Sequence, residues 1–496
     1  MSIDPKTIPV IVGIGEITEK LDDNVIPREP LTLMRDAVRL AEADAGLAID
    51  KLDSLDVVMP MSWRYSDLAG QLSQALGVVA PTHAKLGPSG GESPLKYIHQ
   101  AAMRIAKGQS DMAVVVGGEA QFSLTSYQRA GEQPPWTPFA VDGPNFAETG
   151  DAVDPLAVQH GLYMPVNVYS FFEAASAHQW GQTPAQAQAE SARIWQRLAE
   201  AAQANPYSWR QDNLSANDIR TVTPKNRMIG GPYPKSMVAN MNVNQSAAVL
   251  ITSLAQARAS GISDDKCVFI SGGAGANEPR NFLRRDQYAV CHAQNAVLNA
   301  MSEMGGGKLG AIELYSCFPC VPKMAYRTLG LLDDPAPTVT GGLSFFGAPL
   351  NNYMSHAACA MVRAIRVGTP FGTLYGQGEY MTKHYGLRLS AENEGFDSPS
   401  NTQSQADAAR NEIPAFIGSY SGPATLESFT MMYDRSGQPT HGVIMARIKT
   451  GERTLASLPA SDAEGLSVLL NQERYPIGIV GEITAPDKGA AIWHFT

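Results

Sequence analysis

Few residues in this chain have chemical reach, and they are scattered. Gly87-Pro88-Ser89-Gly90-Gly91 has the spacing Gly-x-Ser-x-Gly, which holds a serine hydroxyl on a tight turn between a strand and a helix. A hydrolase would add an Asp and a His after later strands, and His384 is a histidine late enough in the chain. A glycine turn at the head of a helix is the simpler account, and we favour it. Glu92 follows at the positive end of the helix dipole, which explains a carboxylate without catalysis; a catalytic carboxylate is the lesser reading. Cys317-Phe318-Pro319-Cys320 is a C-x-x-C pair at the end of an apolar strand. A redox pair wants a helix N-terminus and an exposed first thiol, so a buried structural pair fits better. His99 lies within an apolar helix and reads as a core residue. Gly272-Gly273-Ala274-Gly275 lacks the third glycine of a dinucleotide loop and reads as a βα turn. No metal and no nucleotide redox cofactor is expected.

The elements that must position these groups alternate. Residues 8–14 read as a buried parallel strand, since both faces are apolar. A helix follows over 30–45, a strand over 55–59, a short helix over 66–76, a helix after Pro94, and a strand over 112–116. Residues 121–241 break the rhythm. They are irregular and aromatic as far as Tyr163, then carry two helices. The clearer helix starts at Thr183-Pro184 and stops at Asn205-Pro206. We read this stretch as an insertion lying over the sheet and shaping a binding site. The βα pattern resumes at Asn242. It runs through strands at 268–271, 312–315 and 373–375, and helices around 284–304 and 355–367. Residues 391–411 are polar and read as a connection. Short strands then predict a small β-barrel or sandwich. The domain reading is 1–120 with 242–253 as a first half, 121–241 as the insertion, 254–390 as a second half, 391–411 as a linker and 412–496 as an added β-rich domain.

Composition bounds the function. The chain has 496 residues, a net charge of −10 and no Lys/Arg cluster of nucleic-acid type; nucleic-acid or anionic-membrane binding is not expected. No apolar run has spanning length and the N-terminus has no apolar signal core, so a cytoplasmic location is expected. The 5 cysteines do not suggest a disulfide framework.

Several motifs, in order, resemble the thiolase superfamily, and in particular the type 1 thiolase-like proteins related to sterol-carrier-type thiolases. They are residues 106–120 (AKGQSDMAVVVGGEA), Asn205-Pro206-Tyr207, residues 225–229 (KNRMI), residues 245–250 (QSAAVL), Glu313-Leu314-Tyr315-Ser316-Cys317-Phe318, and residues 341–349 (GGLSFFGAP). The resemblance implies an α/β fold of two duplicated βα halves with mixed or parallel sheets, a loop-domain insertion and an additional small barrel. It implies a ligand too, a coenzyme A thioester, in a protein nominally grouped with acetyl-CoA acetyltransferase-like acyltransferases of lipid metabolism.

A thiolase acylates one Cys, activates it with a His, and uses a second Cys as acid and base. Carried over by motif, these positions are Gly91, Ala348 and Leu374, none of which can do that work. Ordinary thiolase chemistry is therefore not expected. Tyr315 falls where the family places a thioester-facing Asn or His, and a phenol there could donate to a carbonyl or act as an acid. His384 follows the cavity-lining motif. The resemblance places Arg227 and Met228, with Lys225, against the nucleotide end of coenzyme A, and Met241 and Asn242 along the pantetheine tunnel. Three function classes follow: an acyl-CoA-binding enzyme working through Tyr315, as a retro-aldolase-type C–C lyase would; a non-catalytic acyl-CoA-binding or assembly module; and a Ser89 hydrolase. Classical thiolases pair as homodimers through the sheet edge near the helix that follows Gly91, so the resemblance implies a homodimer unless the added barrel covers that edge.

Overall fold

Strands apolar on both faces need cover on both faces, and the computed structural model gives it to them. The structure describes residues 4–20, 27–79, 81–143, 152–331, 338–399, 401–486 and 489–496. Sequence readings at 1–3, at 144–151 and at position 400 lie outside these. Along the chain come β1 (Pro9–Thr18), β2 (Ser54–Val57), β3 (His83–Leu86) and β4 (Met112–Ala120). The insertion holds β5 (Met228–Gly230) and β6 (Tyr233–Pro234). Then follow β7 (Asn244–Ser253), β8 (Val268–Asn277), β9 (Ala311–Leu314), β10 (Phe371–Gly378) and β11 (Lys383–Ser390). Nine of them form one mixed sheet in the order β3-β2-β4-β7-β1-β8-β11-β10-β9. Side chains alternate between two cores: on β7, Ala247, Val249 and Ile251 face the inner one, Ala248 and Leu250 the outer one.

The pairing pattern repeats. Outward from β1 it runs antiparallel to β7, antiparallel to β4 and parallel to β2. Outward from β8 it runs antiparallel to β11, antiparallel to β10 and parallel to β9. The halves meet where β1 and β8 pair over Val10–Phe269 and Ile11–Val268. Helices Ser93–Ala106 and Tyr353–Arg366 pack on each other and touch strands of both halves, forming an inner layer. Helices Pro30–Ala45 and His292–Met304 pack on the strands of the first and second half respectively. This is the duplicated α/β fold expected.

Four readings need correction. β1 is antiparallel to both neighbours; two apolar faces report burial, not direction. Gly272–Gly275 is not a turn, because β8 runs through it paired with β11. Glycine is needed there because a methyl at Gly273 would lie 2.9 Å from the His99 ring, and one at Gly275 2.6 Å from the Tyr385 ring. The helix expected from about 284 starts at His292. The polar 391–411 segment carries a helix, Thr402–Ala409, packed on helix His292–Met304 with Thr402 and Ala406 buried.

The insertion and the C-terminal strands make one wall. Helix Pro184–Ala204 starts with a capping box between Thr183 and Gln186, and helix Pro165–Gln179 is buried nearly all round. Beyond it lie β12 (Gly422–Tyr433), β13 (Pro439–Ile448), β14 (Arg453–Pro459), β15 (Val480–Thr484) and β16 (Ile492–Phe495). They close in the order β12-β13-β14-β16-β15-β12. β14 and β16 are parallel, and helix Ala463–Leu469 lies between β14 and β15. This is the arrangement of an OB-fold barrel. Ile444, Ala446 and Ala456 fill the barrel, whereas Val443, Met445 and Leu455 belong to the body's inner core. β5 of the insertion pairs with β12. Buried Arg453 donates to the carbonyls of Arg285 and Asp286 and pairs with Glu427. The barrel does not cover the free sheet edge: β3 pairs with β2 alone, at the end of the body sheet.

Candidate functional site

β3 delivers the chain to the 87–92 turn, which opens the inner helix Ser93–Ala106. The matching loop of the second half, residues 341–352, opens the other inner helix. The two loops touch: the Gly90 N–H donates to Asn351 Oδ1 at 3.0 Å. The chain just past the end of β9 brings Tyr315 and Cys317 to this junction, and the end of β10 brings Gln377. Together with the insertion they enclose a cavity of about 390 Å3. Its walls are mostly apolar, with Met61, Val166, Ile229, Val238, Phe318 and Leu343 among them.

Gly91 and Ala348 both line this cavity. The room a Gly91 side chain would need is already taken: a methyl there would lie 2.5 Å from the Gln377 carbonyl and 2.6 Å from Tyr315 Cζ. Tyr315 lines the cavity and is 7 % exposed. Its hydroxyl has no hydrogen-bond partner among the described residues. Burial holds the phenol well above its usual range, with the neighbouring Cys317 and Glu92 adding to the effect. It is therefore a protonated donor waiting for an acceptor. Gln377 Nε2 donates to Tyr169 Oη at 2.8 Å and to Cys317 Sγ at 3.1 Å. Burial pushes the Cys317 thiol up to about 12, so it is not a thiolate nucleophile. Cys320 opens the next helix, and both cysteines are buried free thiols.

The remaining predicted residues divide. Leu374 is fully buried inside β10 and does not line the cavity; Gln377, three residues on, does. His384 is a core residue. Its Nδ1 meets Tyr375 Oη at 2.6 Å and its Nε2 meets the Met381 carbonyl at 3.0 Å. Burial pulls its pKa down to about 4. Ser89 Oγ lines the cavity but bonds Glu379 at 3.4 Å, and that carboxylate is paired with Lys383 and Arg280. Among the described residues no histidine lines the cavity, so Ser89 lacks the Ser–His pair of a hydrolase there. Arg227 lies elsewhere, donating to the Met228 carbonyl beside Gly437 of the barrel. Met228 lines a second cavity, of about 300 Å3, between helix Pro165–Gln179 and the barrel. Met241 lines the first cavity and is half exposed at its rim; Asn242 does not line it.

Glu92 is the least ordinary group here. It is 6 % exposed, makes no cap hydrogen bond to its helix, and leaves Oε2 without a partner. Burial pushes its pKa up to about 7, against the pull of Lys383. The hairpin opposite is strained. Glu379, Tyr380 and Met381 have φ of 48°, 60° and 59°, a left-handed run costing roughly 1–2 kcal/mol per non-glycine residue. Buried Arg285 holds it by donating to the carbonyls of Tyr380 and Met381. The Met381 N–H donates to Tyr169 Oη and Gln377 Oε1, both at 3.2 Å. Sequence reasoning passed over Gln377, Glu379, Tyr169 and Asn351. The polar residues inside Gly376-Gln377-Gly378-Glu379 were the available signal for the first two.

Comparison with known proteins adds identity to this geometry. The family model for the thiolase-like protein type 1 additional C-terminal domain matches residues 403–488. No curated protein matches the chain. The crystal structure of a monomeric SCP2-thiolase-like protein type 1 from Mycobacterium smegmatis superposes with TM-score 0.83 at 28% identity, over 100% of both chains. The Ltp2–ChsH2(DUF35) aldolase matches with TM-score 0.60 at 17% identity, over 78% of this chain and 98% of that one. An acetyl-CoA acetyltransferase from Syntrophomonas wolfei matches with TM-score 0.57 at 14% identity, over 78% and 99%. The last two are similar in fold alone.

Proposed function

We propose that this chain, which belongs to the type 1 thiolase-like proteins of the thiolase superfamily, binds an acyl thioester in the Tyr315 cavity without forming an acyl-enzyme. One observation carries the reading: an unpartnered phenol lines an apolar cavity, beside a glycine that leaves no nucleophile. An acyl chain suits the apolar walls, and a thioester carbonyl suits the lone donor. Gly91 and Ala348 can neither accept an acyl group nor move a proton. The proposal concerns the acyl and thioester end; Arg227 and Met228 are turned to the barrel and take no part in it. Gly91 and Ala348 also favour a second reading, a binding module with no turnover.

Calorimetry with acyl-CoA esters against free coenzyme A tests the first reading. Acyl esters should bind more tightly than the free thiol. Tyr315→Phe should weaken them about five- to tenfold, the worth of one net hydrogen bond. Equal affinity for free and acylated coenzyme A, or no binding to either, would overturn it.

A further inference from the structure

We propose that the second cavity, between helix Pro165–Gln179 and the barrel, is a binding site for a small apolar carboxylate, an aliphatic or aromatic monocarboxylic acid in its ionised form. Its volume of about 300 Å3 is at the lower end of the range for small-molecule sites. Phe429 and Met431 of β12, Ala174 of the helix and Leu469 give it apolar walls. The segment that follows helix Ala463–Leu469 closes one side. It is fixed there by the Ala185 N–H, which donates to the Gln472 carbonyl at 3.0 Å.

The walls carry donors in want of acceptors. Tyr475 lines the cavity and is 8 % exposed, yet its hydroxyl has no hydrogen-bond partner among the described residues. A buried phenol ordinarily finds one. The Tyr475 oxygen is not sealed off by its neighbours, so a ligand can touch it. Tyr433, half-buried on β12, is a second phenol on the cavity, and its hydroxyl too has no partner among the described residues. Burial keeps both phenols protonated, the form that donates. Arg220 lines the cavity from its exposed mouth. Its guanidinium reaches only Asn217 Oδ1, at 3.4 Å, and pairs with no carboxylate among the described residues.

Charge decides the ligand class. Among the described residues that line the cavity, Glu173 and Arg220 carry the charges. Glu173 is already spent: Lys323 Nζ pairs with its Oε1, and Tyr233 Oη donates to its Oε2 at 3.0 Å. The guanidinium is left. A carboxylate brings lone pairs to it and to both phenols, and hydrogen bonds to an ionised acceptor are stronger than neutral ones. An ammonium would set donors against donors and meet a like charge. The apolar walls take the hydrocarbon part of the acid. The site is separate from the Tyr315 cavity. Helix Pro165–Gln179 lines that cavity with Val166 and Tyr169, and this one with Ser170, Glu173 and Ala174.

The test titrates the full chain with octanoate by calorimetry at neutral pH, with octylamine as the cationic counterpart. Hydrogen exchange with mass spectrometry locates the contact. Octanoate should bind and slow exchange in residues 228–233 and 469–475, which flank the cavity. Octylamine should bind roughly tenfold more weakly or not at all. Tyr475→Phe keeps the ring and should weaken octanoate about five- to tenfold, the worth of one net hydrogen bond. Arg220→Gln, at an exposed position, should weaken it about two- to fivefold. Should Tyr475→Phe fail to fold, Arg220→Gln decides. No octanoate binding at millimolar concentration, unchanged affinity in Tyr475→Phe, octylamine binding as tightly, or protection confined to the Tyr315 cavity would overturn the proposal. None of these outcomes bears on the acyl-thioester reading, which is tested with coenzyme A esters and Tyr315→Phe.

Discussion

At Gly91 the absence of a side chain and the presence of the Tyr315 ring are matched in space. A Cys there meets the Tyr315 ring and the Gln377 carbonyl at once. Gly91→Cys should therefore lower stability by about 1–3 kcal/mol, as overpacking does, seen as a lower denaturation midpoint. Tyr315→Ala should relieve part of that cost in the double variant, while the clash with the carbonyl remains. Protonation gives a second residue-scale prediction. Burial raises Glu92 and Glu119 to about 7 in the folded state, from 4.5. The folded chain then binds these protons more tightly than the unfolded one, so stability falls as pH rises from about 4.5 through 7. Each group should cost on the order of 3 kcal/mol above that range. Glu92→Gln should be the more stable protein at pH 8 and lose that advantage by pH 5, measured by urea unfolding. His384 acts oppositely: depressed to about 4, it removes stability as pH falls from 6.5 through 4. Much at this scale was legible. Counting along motifs found Gly91, Ala348 and Tyr315. It failed for His384, because periodicity does not say which face of a strand meets a cavity and which meets Tyr375.

The β10–β11 hairpin ties the site to the second half of the fold. Its left-handed run survives because Arg285 supplies donors to two buried carbonyls. Arg285→Met would leave the Tyr380 carbonyl unpaired and take the charged donor from the Met381 carbonyl, which keeps His384 Nε2. It should cost about 2–5 kcal/mol and raise amide exchange at Met381, measurable by hydrogen exchange with mass spectrometry. The hairpin was invisible in the sequence, where glycines announce a turn but Glu-Tyr-Met does not announce positive φ. The helix Pro184–Ala204 was fully legible, since Thr183-Pro184 states its own start. Thr183→Ala should cost about 1 kcal/mol of stability. Arg227 and Met228, expected at the nucleotide end of coenzyme A, lie away from the Tyr315 cavity for a long-range reason. Pairing of β5 with β12 draws that segment to the barrel, and local sequence carries no trace of a partner 200 residues away.

Across the whole molecule, barrel and body share a core and should unfold as one unit. Val443, Met445 and Leu455 sit in the inner core, and Arg453 holds the carbonyls of Arg285 and Asp286. A single calorimetric transition is expected for the chain; Arg453→Met should split it in two or lower it by several degrees. The face that an OB barrel offers to oligonucleotides is the β13–β14 face, and here it is consumed inward. The loops that meet at Gly90 and Asn351 occupy equivalent places in the two halves. Each copy is braced by the other's inner helix, so a residue at the seam can be exchanged without unmaking either copy. A duplicated gene product of this kind separates the inheritance of its shape from the inheritance of its reaction. Its descendants can abandon one chemistry and take up another while the architecture passes on intact.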